Sequence, residues 1–293
     1  MFKGFLIVLF VLLFRICHAQ LAERWTLSEL DIKLNAPKSL FWDHQSGRLL
    51  LLANDSSEIP QVNSINQLYS NVEQLTRDTL FKISVSCFQP TGTLMVSGIT
   101  RENYEIIKYH PGNKQAVPLI NRNLQKKEAH ANTSGTMVAF AGKEENDRHW
   151  NLYTYDFTYN NLNKLGKDEF NCSYPRWSPK AEYICYQSKL PNETFTRLKV
   201  IHWYGKLHFE IIEDEHHVLH PAWSPNSQWL AYVRENHKGS ELMICRKNGT
   251  DKTLIYKTPH KISYPAWSPT GDSIAFLLHT DGNRANICLL VQE

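Results

Sequence analysis

Residues 174–186 read Y-P-R-W-S-P-K-A-E-Y-I-C-Y, residues 220–232 read H-P-A-W-S-P-N-S-Q-W-L-A-Y, and residues 264–276 read Y-P-A-W-S-P-T-G-D-S-I-A-F. These are three copies of one unit. Trp177, Trp223 and Trp267 stand 46 and 44 residues apart, and each precedes Ser-Pro, a turn and a run suited to a strand. Fainter copies lie upstream: Phe88-Gln89-Pro90 with Gly92, Ala131 to Phe140 around Gly135, and Phe41-Trp42 with Gly47. Anchored on the turn, the copies fall at Gly47, Gly92, Gly135, Ala181, Ser227 and Gly271, in steps of 45, 43, 46, 46 and 44 residues.

Within a copy, an inner strand runs into the aromatic-Ser-Pro turn and a second strand follows, as at Ile274-Ala275-Phe276. A third apolar run comes after a polar loop (Leu152-Tyr153, Leu242-Met243-Ile244), and a fourth closes the unit (Leu75-Thr76, Thr253-Leu254-Ile255). Four strands in ~40–50 residues is the grammar of a propeller blade. The expected fold is therefore all-β, a six-bladed β-propeller of four-stranded antiparallel blades. The blades are expected at about 37–78, 79–123, 124–170, 171–215, 216–259 and 260–293. The last copy lacks a fourth strand, whereas W-T-L-S-E-L-D-I-K-L (25–34) is a spare one before the first copy. We expect residues 20–36 to carry the strand that closes the last blade, leaving no open edge.

Lys3, the apolar run Phe5–Phe14 and Cys17-His18-Ala19 compose a secretory signal cleaved after Ala19. Ten apolar residues are too few to span a bilayer. The expectation is a single exported domain over 20–293, periplasmic or at the cell surface, with no transmembrane span after cleavage. The full chain of 293 residues carries a net charge of +3, which falls to +1 once Lys3 and Arg15 are removed. No basic face is concentrated enough to suggest nucleic acid. Cys87, Cys172, Cys185, Cys245 and Cys288 remain after cleavage, an odd number at wide spacings with no C-x-x-C pair. That argues against a disulfide framework and against structural zinc, while leaving room for one or two bridges. The sequons at Asn54, Asn132, Asn171, Asn192 and Asn248 matter only in a eukaryotic secretory route.

The Pro-x-Trp-Ser-Pro units at 175–179, 221–225 and 265–269, with Ile-Ala-Phe behind the last, resemble the TolB-like propeller repeat, a WD40-like unit. The aspartate which that unit carries before its glycine is replaced by Lys180, Asn226 and Thr270. The resemblance implies an extracytoplasmic propeller that presents loops to a protein partner. TolB itself adds an N-terminal α/β domain and docks a peptidoglycan-associated lipoprotein and translocated toxins. Only about sixteen residues separate the signal from the first repeat here, so that domain and those partners are not carried over.

Trp177, Trp223 and Trp267, with Pro179, Pro225 and Pro269, read as repeat residues that pack blades and shape turns. The thirteen histidines are the compositional oddity. His216, His217 and His220 cluster at one blade entry, and His130 lies in another. Three residues before each tryptophan stand Tyr174, His220 and Tyr264, where inner strands line the tunnel. These six are the candidate binding residues at the tunnel, against the simpler expectation of a wet polar lining. No Gly-x-Ser-x-Gly elbow, His-Glu-x-x-His helix or phosphate-binding glycine loop occurs. No cofactor and no catalytic residue is assigned. A protein-binding or envelope-complex scaffold leads, with a small-molecule or glycan ligand kept open. The alternative is a metal-dependent lyase or hydrolase using tunnel histidines such as His220 and His130.

Overall fold

The computed structural model describes residues 25–293 apart from 33, 67, 68, 70, 89, 90, 101, 102, 111, 112, 166–170, 282 and 283. The stretch 1–19, read above as a secretory signal, lies outside the described residues. Six four-stranded antiparallel sheets follow one another along the chain. Ahead of them runs β1 (Trp25–Leu30). Blade one is β2 (Lys38–Asp43), β3 (Arg48–Asn54), β4 (Pro60–Ile65) and β5 (Val72–Gln74). Blade two is β6 (Phe81–Phe88), β7 (Thr93–Thr100), β8 (Asn103–His110) and β9 (Asn113–Pro118). Blade three is β10 (Gln125–Ala131), β11 (Met137–Lys143), β12 (Asn151–Asp156) and β13 (Asn161–Lys164). Blade four is β14 (Asn171–Trp177), β15 (Tyr183–Lys189), β16 (Arg197–His202) and β17 (Leu207–Ile211). Blade five is β18 (His217–Trp223), β19 (Trp229–Asn236), β20 (Gly239–Arg246) and β21 (Thr253–Thr258). Blade six is β22 (Lys261–Trp267), β23 (Ser273–Asp281) and β24 (Arg284–Gln292), and β1 completes it.

The inner strands β2, β6, β10, β14, β18 and β22 each pack on the next, and β22 returns to β2. The ring is closed. Its seam is the antiparallel pair β1–β24, running from Trp25 opposite Gln292 to Leu30 opposite Ile287. The alternating sequence suggested a strand to residue 34. Pairing stops at Leu30 because the Ile32 N–H turns back onto the Leu30 carbonyl, 2.7 Å away. The fourth strand of blade one is likewise displaced. It is Val72–Gln74, and Leu75-Thr76 instead fastens the sheet from its end, with Leu75 N–H on the Val62 carbonyl and Thr76 Oγ1 accepting from Val62 N.

The apolar residues form six clusters, one at each junction between neighbouring blades. Trp42 sits at the junction of blades six and one, Trp177 at three and four, Trp223 at four and five, and Trp267 at five and six. Burying an aromatic of that size contributes on the order of 3 kcal/mol, so the tryptophans hold blade to blade. At the turn beyond each, the six anchor positions Gly47, Gly92, Gly135, Ala181, Ser227 and Gly271 all have φ between 56° and 78°. The five cysteines among the described residues are buried thiols, none in a disulfide. Among the described residues, no helix is long and apolar enough to cross a membrane.

Candidate functional site at the tunnel mouth

All six inner strands break register once, and in five of them a residue at the break turns left-handed: Ser39, Glu128, Tyr174, His220 and Tyr264, with φ of 50–58°. These are β-bulges. In blades four to six the next residue is Pro175, Pro221 or Pro265, whose missing N–H costs nothing where the ladder is already interrupted. The freed donors are taken up by the preceding blade. Glu128 N–H bonds Ser97 Oγ at 2.7 Å, Tyr174 N–H bonds Glu128 Oε2 at 2.8 Å, and His220 N–H bonds Gln187 Oε1 at 2.8 Å.

The bulge aims three side chains at one another. The hydroxyls of Tyr174 and Tyr264 are 2.9 Å apart, and the His220 ring lies 5.1 and 4.5 Å from the two tyrosine rings. Blades four, five and six thus contribute one aromatic plug across the tunnel. Burial first, then the charges of Lys261, Arg176 and His279, push His220 down to about 3, so it is neutral. Its Nδ1 is buried with no hydrogen-bond partner among the described residues.

Further along the inner strands, two residues past the left-handed position in five of them, a second ring consists of Phe41, Cys87, His130, Arg176, Ala222 and Ala266. All six line a cavity of about 300 Å³ that opens at the Ser-Pro turns, between Pro179, Pro225 and Pro269. The tryptophans of blades one, four, five and six also reach its wall. His130 is held well below its ordinary value by burial, then by Arg176 and His44. Its Nδ1 accepts the Trp177 N–H at 3.2 Å, which leaves the ring proton on Nε2. His44 is lowered by burial and bonds the Trp267 carbonyl through Nε2 at 3.1 Å. Burial also disfavours the Arg176 charge, opposed by Glu128. Arg176 Nη1 donates to the Pro175 carbonyl at 2.9 Å, and the guanidinium lies 6.0 Å over the Tyr174 ring. Among the described residues, no carboxylate pairs with it.

Of the residues singled out in the sequence, Tyr174, His220 and Tyr264 come together in the plug, and His130 stands one ring above them. His216 and His217 do not join them. They lie at the entry of β18, on the face opposite the cavity. His216 donates from Nδ1 to the Asp214 carbonyl at 2.7 Å and accepts from Asn236 at 2.8 Å. His217 accepts the Thr196 N–H at 3.2 Å and packs on Phe195. The tunnel histidines do not fit a metal centre. Among the described residues no three His, Cys, Asp or Glu side chains converge on a point, and His220 is wedged between phenol rings. Sequence reasoning passed over Arg176, Phe41 and His44. A signal was present in P-R-W-S-P beside two copies of P-A-W-S-P.

The fold and this plugged tunnel define a six-bladed propeller with a one-sided cavity. No family model matches the chain, and no curated protein matches it. Solved structures are similar to it in fold. TolB from Acinetobacter baumannii matches with a TM-score of 0.65 at 16% identity, over 80% of this chain and 57% of that one. This chain therefore spans just over half of that TolB. A gluconolactonase from Xanthomonas campestris matches with a TM-score of 0.66 at 16% identity, over 94% and 93% of the two chains. An oligogalacturonate lyase from Vibrio parahaemolyticus matches with a TM-score of 0.60 at 10% identity, over 92% and 97%. At such identities the likeness shows the architecture alone, and the architecture hosts both binders and enzymes.

Proposed function

We propose that this chain is an exported TolB-like propeller that binds a protein partner through its tunnel mouth. The observation that carries this reading is an aromatic cup with exposed aromatics on the same face. Tryptophan and proline side chains ring the opening, and Tyr159, Trp203 and Tyr204 stand exposed on turns of the same face. Exposed aromatics on the face that carries an apolar recess are the usual composition of a protein-binding hot spot. For the metal-dependent alternative, no three His, Cys, Asp or Glu side chains come together among the described residues.

The test fills the cup. Ala222→Phe places a ring at the cavity wall, and Trp203→Ala with Tyr204→Ala strips two of the exposed aromatics. A partner recovered from the native host with the parent protein should be lost with either variant, provided their melting temperatures are retained. Undiminished recovery with both would sink the proposal.

A further inference from the structure

We infer that the mouth cavity receives the C-terminal carboxylate of a partner chain, with Arg176 as its counter-ion; this rests on the protein-binding reading above. By strand register the residues equivalent to Arg176 in blades five and six are Ala222 and Ala266. Alanine in those two blades shows that the repeat needs no large side chain there. Blade four instead supplies an arginine, so its guanidinium is not part of the repeat's packing requirement.

That guanidinium is short of partners. A guanidinium has five N–H donors in a planar fork, and among the described residues one main-chain carbonyl accepts from it. The carboxylate that most favours its charge, Glu128, makes no ion pair with it among the described residues and is occupied by the Tyr174 N–H and Lys127. Holding a desolvated cation with no carboxylate in contact is costly, and a bidentate carboxylate relieves that cost. His130, neutral and carrying its proton on Nε2, adds an uncharged donor to the same wall. One cation among neutral donors suits a monoanion better than a phosphate dianion.

The shape selects an end of a chain over its middle. The Tyr174–His220–Tyr264 plug crosses the tunnel beneath the cavity, so whatever enters must stop there. A volume of about 300 Å³ is at the small end of ligand pockets and takes roughly one terminal residue. Its walls of Trp, Pro and Phe41 suit an apolar side chain.

The probes are N-acetyl-Gly-Phe as free acid and as amide, phenylacetate with phenylacetamide, and phenyl phosphate, followed by tryptophan fluorescence and calorimetry. The peptide acid should bind at least tenfold more tightly than its amide and than phenylacetate. Arg176→Ala, which restores the residue of blades five and six, should abolish the preference for acid over amide, and Arg176→Lys should retain part of it. Equal affinity for acid and amide, or a preference that survives in Arg176→Ala, overturns the inference. Tighter binding of phenylacetate overturns the chain end in favour of a free acid, and tighter binding of phenyl phosphate overturns the carboxylate. If the acid preference holds while host-partner recovery ignores Ala222→Phe, the protein-binding reading fails and the anion site stands.

Discussion

Ala181 and Ser227 occupy the same left-handed turn position as Gly271, with φ of 56° and 59°. A side chain there costs about 1 kcal/mol relative to glycine. The two are not equivalent, because Ser227 Oγ accepts the Lys180 N–H of the neighbouring blade at 3.0 Å. Ala181→Gly should therefore raise stability by about 0.5–1 kcal/mol, whereas Ser227→Gly should be neutral or destabilising. Urea denaturation of both variants tests this, and equal gains would show that the inter-blade bond contributes nothing. The turn positions were legible from spacing, because glycine at four of six copies marks the conformation required. The plug was legible too, as the residue three before each tryptophan. Arg176 was not, because aligning repeats draws attention to what the copies share. A site is built from what one copy does differently.

At the level of elements, β1 contributes closure more than core. Its middle residues are exposed, and its chief packing contact is Trp25 edge-on to Trp267 at 6.2 Å. Removing residues up to 30 would bare the whole hydrogen-bonding edge of β24, a template for pairing with other chains. Such a truncation should lower the melting temperature by several degrees and give concentration-dependent association in light scattering. A monomeric product of unchanged melting temperature would show that the seam is dispensable. That the seam exists was readable from a blade short of one strand and a strand short of a blade. Its length was not, because alternation in W-T-L-S-E-L-D-I-K-L continues past the point where the Ile32 N–H turns back on Leu30.

Over the whole molecule, the tunnel concentrates neutral imidazoles. His44, His130 and His220 are all held below the ordinary histidine value, with burial the first cause in each. The unfolded chain takes up protons near pH 6.5 that the folded tunnel refuses. Their contribution to stability is thus complete above that pH and declines as pH falls from 6.5 towards the folded value, about 3 for His220. Each such group steepens the decline by up to about 1.4 kcal/mol per pH unit. The melting temperature should drop measurably between pH 7 and 5, and His220→Phe should flatten part of the slope. A parent profile that is flat across this window would mean that the tunnel histidines accept protons without cost.

The register of the seam also fixes where the molecule can be held. Trp25 and Gln292 face each other at the Ser-Pro end of blade six, and the Gln292 N–H bonds the Asp272 carbonyl in the turn there. A tether joined at residue 25 or 293 therefore leaves from the same side as the opening and crowds whatever approaches it. The hairpin between β19 and β20, at 236–239, projects from the opposite side. Immobilisation through that hairpin would present the cup outward and unobstructed.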